Sequence, residues 1–521
     1  MPRDWPGEAD VDVAVDATSE GGAQPSLVPP EATGPTSSSP GRHRPQAGAH
    51  RPGSSGAGAV ASPPASATGT RVPLAVAGCL AVAAASLALP ATLAFDPWAW
   101  LVWGREVLHL GLDTTGGPSW KPLPVLASTL VALAGDHAPT VWLVVARAAG
   151  LLALVCTFRL AARFAGPAAG VVAASLLLLT PDGGPRFLRL VVEGHSAPVS
   201  VSLCLWAIDR HLNGRHAQAL LLATAFALDR PEAWPFLGLY ATWLWRRDPA
   251  QRRLVATALA AVPLLWFGGD WWGSGDPWHG ADAAQVSTGG IADRWAEAFE
   301  RMGKMVITPV WVAAVAGTVT ARRRREWALV AMGGGALAWM GLVTALSVGF
   351  GYAALSRFLL PAAAVLCVLA GIGVVRVVTG VTHGRARLAL VAVIVAASVP
   401  WAVPRIRSWA TVADGVHARA RLERELDIAL SDADGPEAVL ACGRVAITQS
   451  DVPRVALAWK LHVPLDRVNR RLPADGPGVL FARTGGRQDR LLSARPPAEV
   501  TPLARSTEWA VYAVGCPMPR D

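Results

Sequence analysis

The stretch Phe95 to Pro124, FDPWAWLVWGREVLHLGLDTTGGPSWKPLP, sets charge among tryptophans directly after a long apolar run. Its thirty residues hold Asp96, Arg105, Glu106, four tryptophans and Lys121, one of only three lysines in the chain. A carboxylate such as Asp96 can accept a proton from a hydroxyl, and aromatic neighbours can lower the local dielectric and stack on a sugar ring. Equally, Asp before Pro-Trp is a good helix start, with the tryptophans as an interfacial belt. Lys121 is a point charge suited to a phosphate, or a lysine whose stem snorkels to lipid head groups.

Four further segments carry polar chemistry. VVEGHS places Glu193 and His195 together, suited to binding hydroxyls or assisting proton transfer, with a salt bridge from Glu193 to Arg186 or Arg189 as the alternative. DRPE (Asp229 to Glu232) brings Arg230 and Glu232, and GYAALSR (Gly351 to Arg357) brings Arg357. GGDWWGSGDPWHG (Gly268 to Gly280) combines three tryptophans with glycine and suits a lid, a carbohydrate-stacking surface or an interfacial anchor. Asp270, Asp276 and His279 lack metal-ligand spacing, and no divalent-metal site is evident.

The elements that must position these groups are membrane helices. Hydrophobic residues make up 52% of the 521 and charged residues only 16%, with apolar runs near the roughly 20 residues that span a bilayer. The net charge of +9 lies in short arginine clusters between those runs, which speaks for membrane topology and against nucleic acid. Eleven spans are expected, at 72–94, 140–160, 167–181, 197–212, 216–229, 232–246, 252–269, 304–320, 326–349, 357–379 and 387–403. Leu123 to Gly135 is too short to cross and reads as an interfacial or re-entrant helix. With that count the clusters Arg159/Arg163, Arg210/Arg215, Arg246 to Arg253, Arg322 to Arg325 and Arg376 to Arg387 all fall inside, and one crossing more would put all of them outside. The polar segments then gather on the outer face, in loops 95–139, 182–196, 268–303 and 350–357.

Residues 1–70, rich in Gly, Pro, Ser and Ala, read as a disordered cytoplasmic tail. From 405 to 521 the composition turns soluble, and an amphipathic helix (Ala418 to Leu430) precedes strands at Ala438 to Gly443, Val479 to Arg483 and Trp509 to Gly515. This is expected to be a small α/β domain outside the plasma membrane. Cys442 and Cys516 each end an expected strand in an oxidising compartment, which predicts a disulfide between them, two unpaired thiols being the alternative.

Asp96, Arg105-Glu106 and Trp120-Lys121-Pro122-Leu123 in that order resemble the first outer loop of the GT-C fold glycosyltransferases that use lipid-linked sugars. The branch most alike is that of aminoarabinose transferases and protein O-mannosyltransferases, where an Asp precedes a REML-like and an EKPPL-like segment. The resemblance runs on through Leu143 to Pro181, RLVVEGHSAPVSVSLCLWAI (Arg189 to Ile208), LDRPEAWPFL (Leu228 to Leu237) and SRFLLPAAAVLCVLAG (Ser356 to Gly371), covering about 72 to 403. Trp120 stands where the family has Glu, Leu123 where it has the second Pro, and the acid following Asp96 is missing, so metal dependence is left open.

The resemblance implies a 71–404 catalytic domain that moves a hexose or pentose from a polyprenyl-phosphate donor to an envelope glycan, lipid or protein, by a single inverting displacement. It implies Asp96 as base with Glu193 as the second catalytic acid, and Lys121, Arg357, Arg230 and Arg189 as candidates for the phosphate. Glu106, His195, Glu232, Trp100 and Trp120 would then bind substrate. The competing readings are a transporter or flippase of envelope precursors and a non-catalytic envelope-binding scaffold.

Overall fold

The computed structural model describes residues 71–180, 186–285, 290–353, 355–448, 451–472, 476–496 and 499–516; the expected tail 1–70 and the start of the 182–196 loop lie outside them. The first span begins as α1 (Arg71–Ala85). In the charged stretch after it, the helix start read as the alternative at Asp96 opens α2 (Phe95–Leu108), and the short helix expected from Leu123 is α3 (Pro122–Ala132). Ten of the fourteen residues of α2 are buried, because a helix apolar around its circumference has to go inside. The two helices touch at Gly104, where a Cβ would come within 2.6 Å of Ser128, and Ser128 Oγ donates to the Trp100 carbonyl at 2.5 Å.

The bundle continues with α4 (Ala138–Ala165), α5 (Pro167–Leu178), the short α6 (Arg186–Val192), α7 (Ala197–Leu212), α8 (His216–Asp229), α9 (Trp234–Arg247) and α10 (Arg252–Ser274). Then come α11 (His279–Asp282), α12 (Ile291–Met305), α13 (Thr308–Arg323), α14 (Trp327–Phe350), α15 (Leu360–Gly380) and α16 (Gly384–Asp432). Nine of the expected spans overlie single helices; 72–94 is α-helical only as far as Ala85, and 304–320 straddles the break between α12 and α13. Among the described residues, by length and composition alone five are long and apolar enough to cross a membrane, those containing α4, α10, α14, α15 and α16, or six if α12 and α13, bent by 78°, are one broken span. The chain is thus a multi-pass helical membrane protein. The expected lid is also more helical than its glycines imply: Gly268 to Ser274 end α10, which stops at Gly275 in the left-handed region (φ 79°).

The centre of the bundle is α15, whose apolar window is 89% buried. Lipid tails are as apolar as leucine, so such a helix is held by close backbone approach at small residues. A Cβ on Gly373 would lie 2.0 Å from the Ala313 carbonyl of α13, and one on Gly371 would lie 2.5 Å from the Ala169 carbonyl of α5. The arginine-rich helix ends meet at one end of the bundle. Arg163 of α4 donates to Asn213 beyond α7 at 2.8 Å, and Arg376 of α15 donates to the Phe164 carbonyl at 3.3 Å and to Glu326 at 2.9 Å.

A 49-residue helix rising 1.5 Å per residue is about 70 Å long, so α16 joins two regions in one rod. The expected boundary at 404/405 falls inside it. Its apolar window is 0% buried, whereas Val416, Ala420, Leu426 and Leu430 further along are buried. Beyond it follow α17 (Gly435–Ala441), β1 (Arg444–Ile447), α18 (Asp451–Lys460), β2 (Val468–Asn469), β3 (Gly478–Arg483), α19 (Arg487–Ser493), β4 (Val500–Arg505) and β5 (Trp509–Val514). The sheet order is β2-β1-β3-β5-β4, with β1 parallel to β2 and β3, and β5 antiparallel to β3 and β4. Residues 438 to 443, expected as a strand, instead run from α17 into the turn before β1. Pro436 presets the helical φ, and Glu437, Ala438 and Leu440 are strong helix formers. Cys442 and Cys516 are joined by a disulfide, with Cα atoms 5.6 Å apart.

Gly373→Val is expected to lower the thermal midpoint in detergent by several degrees. Gly334→Val, whose Cβ meets no atom within 4 Å, should leave it in place; equal midpoints for the two would contradict the close α13–α15 contact.

Candidate active site

Helix ends from distant parts of the chain converge opposite the arginine-rich end. Asp96 occupies the first turn of α2, where Ala94 is the N-cap and no side chain caps the helix. Its carboxylate is therefore not a cap. It is 5% exposed and paired with Arg357 at 3.2 Å. Burial pushes the Asp96 carboxyl up, but Arg357 first, then Lys121, His195 and Arg230, outweigh it and hold the acid below its ordinary range.

Lys121 is the residue before α3 and is buried; its Nζ lies 5.4 Å from the centre of the Trp100 ring. Among the described residues no hydrogen bond or ion pair reaches that ammonium. Burial, and then the nearby Arg230 and Arg357, push it down to about 8, against the pull of Asp96 and Asp229. Arg230 ends α8 and is 1% exposed; its Nε donates to Ser200 Oγ at 3.2 Å and lies 3.8 Å from Asp229, while its Nη1 has no partner. Its guanidinium lies 4.7 Å from the Phe358 ring centre, and that of Arg357 lies 5.7 Å from the same ring. Glu232, in the turn after Arg230, accepts from the Tyr352 hydroxyl at 3.0 Å rather than pairing with an arginine. Three cations, Lys121, Arg230 and Arg357, thus lie among three acids, Asp96, Asp229 and Glu232.

Glu193 stands beside this group, 2% exposed. Arg189 Nε at 3.0 Å and Arg419 Nη2 at 2.6 Å both bind its Oε1, and His195 Nε2 lies 3.7 Å from its Oε2. Burial opposes its charge, but His195, Arg419 and Arg189 outweigh that and hold the carboxyl near 2. Burial is also the largest effect on His195 and pushes the ring below its ordinary range, against the pull of Glu193 and Asp96.

With this geometry in view, the chain is similar in structure to ArnT from Cupriavidus metallidurans. In the apo state that structure has 16% identity, covers 85% of this chain and 97% of its own, and gives a TM-score of 0.50. Bound to undecaprenyl phosphate, it has 16% identity, 85% and 98% coverage and a TM-score of 0.53. The chain has the GT-C fold. Archaeal oligosaccharyltransferase AglB from Archaeoglobus fulgidus, in complex with an inhibitory peptide and a dolichol-phosphate, is less alike, at 12% identity, 78% and 69% coverage and a TM-score of 0.42. No family model and no curated protein matches the sequence.

Of the expected site residues, Asp96, Lys121, Arg230, Glu232, Arg357, Glu193 and His195 come together, with Arg189 at the edge on Glu193. Three do not fit their expected roles. Glu106 lies ten residues along α2 from Asp96, about 15 Å away. There it accepts from the Asp113 backbone at 3.0 Å, and burial raises its carboxyl to about 7. Trp100 is fully buried and tilted against Trp142, so it has no free face for a sugar. Trp120 is 6% exposed, donates to the Leu265 carbonyl at 3.1 Å and packs on Trp103. Sequence reading missed Tyr352, Asp229 and Ser200 as site members, although the first two stand inside the polar motifs GYAALSR and DRPE. Arg419 carries no local signal, lying 226 residues from its partner Glu193.

Lys121→Met is expected to raise the thermal midpoint of the empty protein below about pH 8. The folded state sheds the Lys121 proton at about 8 and the unfolded state at the ordinary 10.5, so the burden of the charge is complete below 8 and declines as pH rises between the two. The gain should shrink across that window in a thermal-unfolding series, and a constant gain would contradict the assignment.

Proposed function

We propose that the chain is a membrane glycosyltransferase that moves a hexose or pentose from a polyprenyl-phosphate donor to an envelope glycan, lipid or protein. The observation that carries this reading is the buried, unpartnered Lys121 ammonium between Arg230 and Arg357, beside the Asp96 carboxylate. A phosphate anion relieves the repulsion among those cations, and a low-dielectric site makes that attraction strong. The likeness to a structure bound to undecaprenyl phosphate supports the lipid-linked form of the anion.

In this reading the acceptor hydroxyl attacks the anomeric carbon as the bond from that carbon to the phosphate oxygen breaks, in one inverting step. The hydroxyl proton passes to Asp96, and the departing phosphate stays on Lys121, Arg230 and Arg357. An acid held below its ordinary range is a weak base. Arg357 is therefore shared: when the donor phosphate draws it away, Asp96 loses its strongest partner and gains basicity where the acceptor arrives. The topology we infer has eleven spans, a cytoplasmic N-terminus, a catalytic part at 71–404 and residues 405–521 outside the plasma membrane. It is supported by the arginine-rich helix ends meeting away from the site.

Purified protein in nanodiscs, supplied with a panel of radiolabelled polyprenyl-phosphate pentose, mannose and glucose, is expected to transfer one of them. Asp96→Asn should abolish transfer while undecaprenyl phosphate still binds, and near-normal turnover would remove Asp96 as base. Lys121→Ala is expected to weaken undecaprenyl phosphate at least tenfold at pH 7, and wild-type binding should fall as pH rises through about 8. Translocation of labelled lipid across vesicles without sugar transfer would favour the flippase reading instead.

A further inference from the structure

The C-terminal half of α16, which carries the α/β domain, reaches the site by two side chains one helical turn apart. Arg419 donates to Glu193 Oε1 at 2.6 Å. Glu423 accepts from Thr92 Oγ1 at 2.6 Å and from Trp98 Nε1 at 3.3 Å, at the start of the helix that holds Asp96. Arg105 of α2 donates back to the Trp459 and Val463 carbonyls of the same domain at 2.9 and 3.2 Å. Residues 419 and 423 lie on one face of a helix, so a single docking of α16 sets both contacts.

The Glu193 end of this linkage is built into the site. The backbone N–H of Ala94, the cap of α2, donates to the Glu193 carbonyl at 3.1 Å. The Glu193 side chain divides its oxygens: Oε1 takes Arg189 and Arg419, and Oε2 faces His195 at 3.7 Å. His195 in turn is faced by Asp96 from α2 and by Arg357 from the turn before α15, besides Glu193 itself. A charge on that ring would therefore be felt by the Asp96–Arg357 pair.

We propose that Arg419 is a positioning residue of the site: from the α/β domain it anchors Glu193, and through Glu193 it fixes the His195 ring beside Asp96 and Arg357. The domain is then a structural part of the reaction centre rather than an appended module. This extends the lipid-phosphate reading of the same site, but its contacts and its test do not need a lipid. With Arg419 in place Glu193 is held by two guanidiniums. Without Arg419 the carboxylate keeps one cation, Arg189, and turns its remaining potential on His195, which then holds a proton to higher pH.

The ionisation of His195 is read directly from exchange of its imidazole C2 hydrogen, by mass spectrometry of its peptide across about pH 5 to 9 in full-length protein in nanodiscs. Removing one nearby charge at the effective dielectric of a protein site shifts such a midpoint by about one pH unit. Arg419→Gln and Arg419→Met are each expected to raise the His195 midpoint by about that much, and Arg419→Lys to leave it at the wild-type value. Glu423→Gln, which loosens the same helix without touching Glu193, should also leave it unchanged. Unshifted midpoints in both neutral variants, or an equal shift in Arg419→Lys or Glu423→Gln, would overturn the proposal. Failure of wild-type protein to bind undecaprenyl phosphate would count against the lipid-phosphate reading while leaving this titration readable.

Discussion

The ion pair between Asp96 and Arg357 ties the start of α2 to the turn before α15, and it does so where water is scarce. A buried carboxylate needs such a partner, and the half-buried Arg357 guanidinium supplies it. Arg230 lies close by, paired with Asp229, and Lys121 stands among these charges with no ion pair of its own among the described residues. Only a folded scaffold of considerable rigidity keeps such a group together. The small-residue contacts of α15 with α5 and α13 supply that rigidity, because backbones in contact leave no room for rearrangement.

The α/β domain contributes a second set of constraints. It grips α2 at both ends, through Glu423 near Asp96 and through the carbonyls that accept from Arg105. Trp98 is tilted against Trp459 across the same contact, with ring centres 6.4 Å apart. The disulfide between Cys442 and Cys516 ties the start of β1 to the end of β5, which steadies the sheet on which the C-terminal half of α16 packs. A helix apolar along its membrane half and amphipathic beyond it is thus a mechanical link between two environments. Its length follows from continuing across both without a break.

Much of the architecture was legible because lipid imposes a simple rule on sequence. Backbone polar groups must be satisfied within the segment, so long apolar runs become helices, as most of the expected segments did. The same rule explains where the reading failed. Phe95 to Leu108, for which a helix start at Asp96 was one of two readings, and Gly268 to Ser274 look like loops because they carry charge, glycine and tryptophan. Buried side chains such as Trp100 and Trp103 pack inside the protein, where those residues are compatible with a helix. Ala438 to Gly443 reads as a strand by apolarity, but Pro436 and the run of helix formers win over so short a segment.

For the site, residue type was enough to find Asp96, Lys121, Glu193, His195, Arg230, Glu232 and Arg357. Charge is rare in this chain, and each of these stands at the end of an apolar run. Their grouping is a matter of tertiary structure, because Coulomb interaction depends on distances between helix ends that no local pattern records. For the same reason Trp100 and Trp120, alike in sequence to sugar-stacking residues, are packing residues once their neighbours are in place. The sequence by itself determined a helical membrane chain with its rare charges at helix ends. Which of those charges meet, and that Arg419 reaches them from a domain more than two hundred residues away, was decided only by folding.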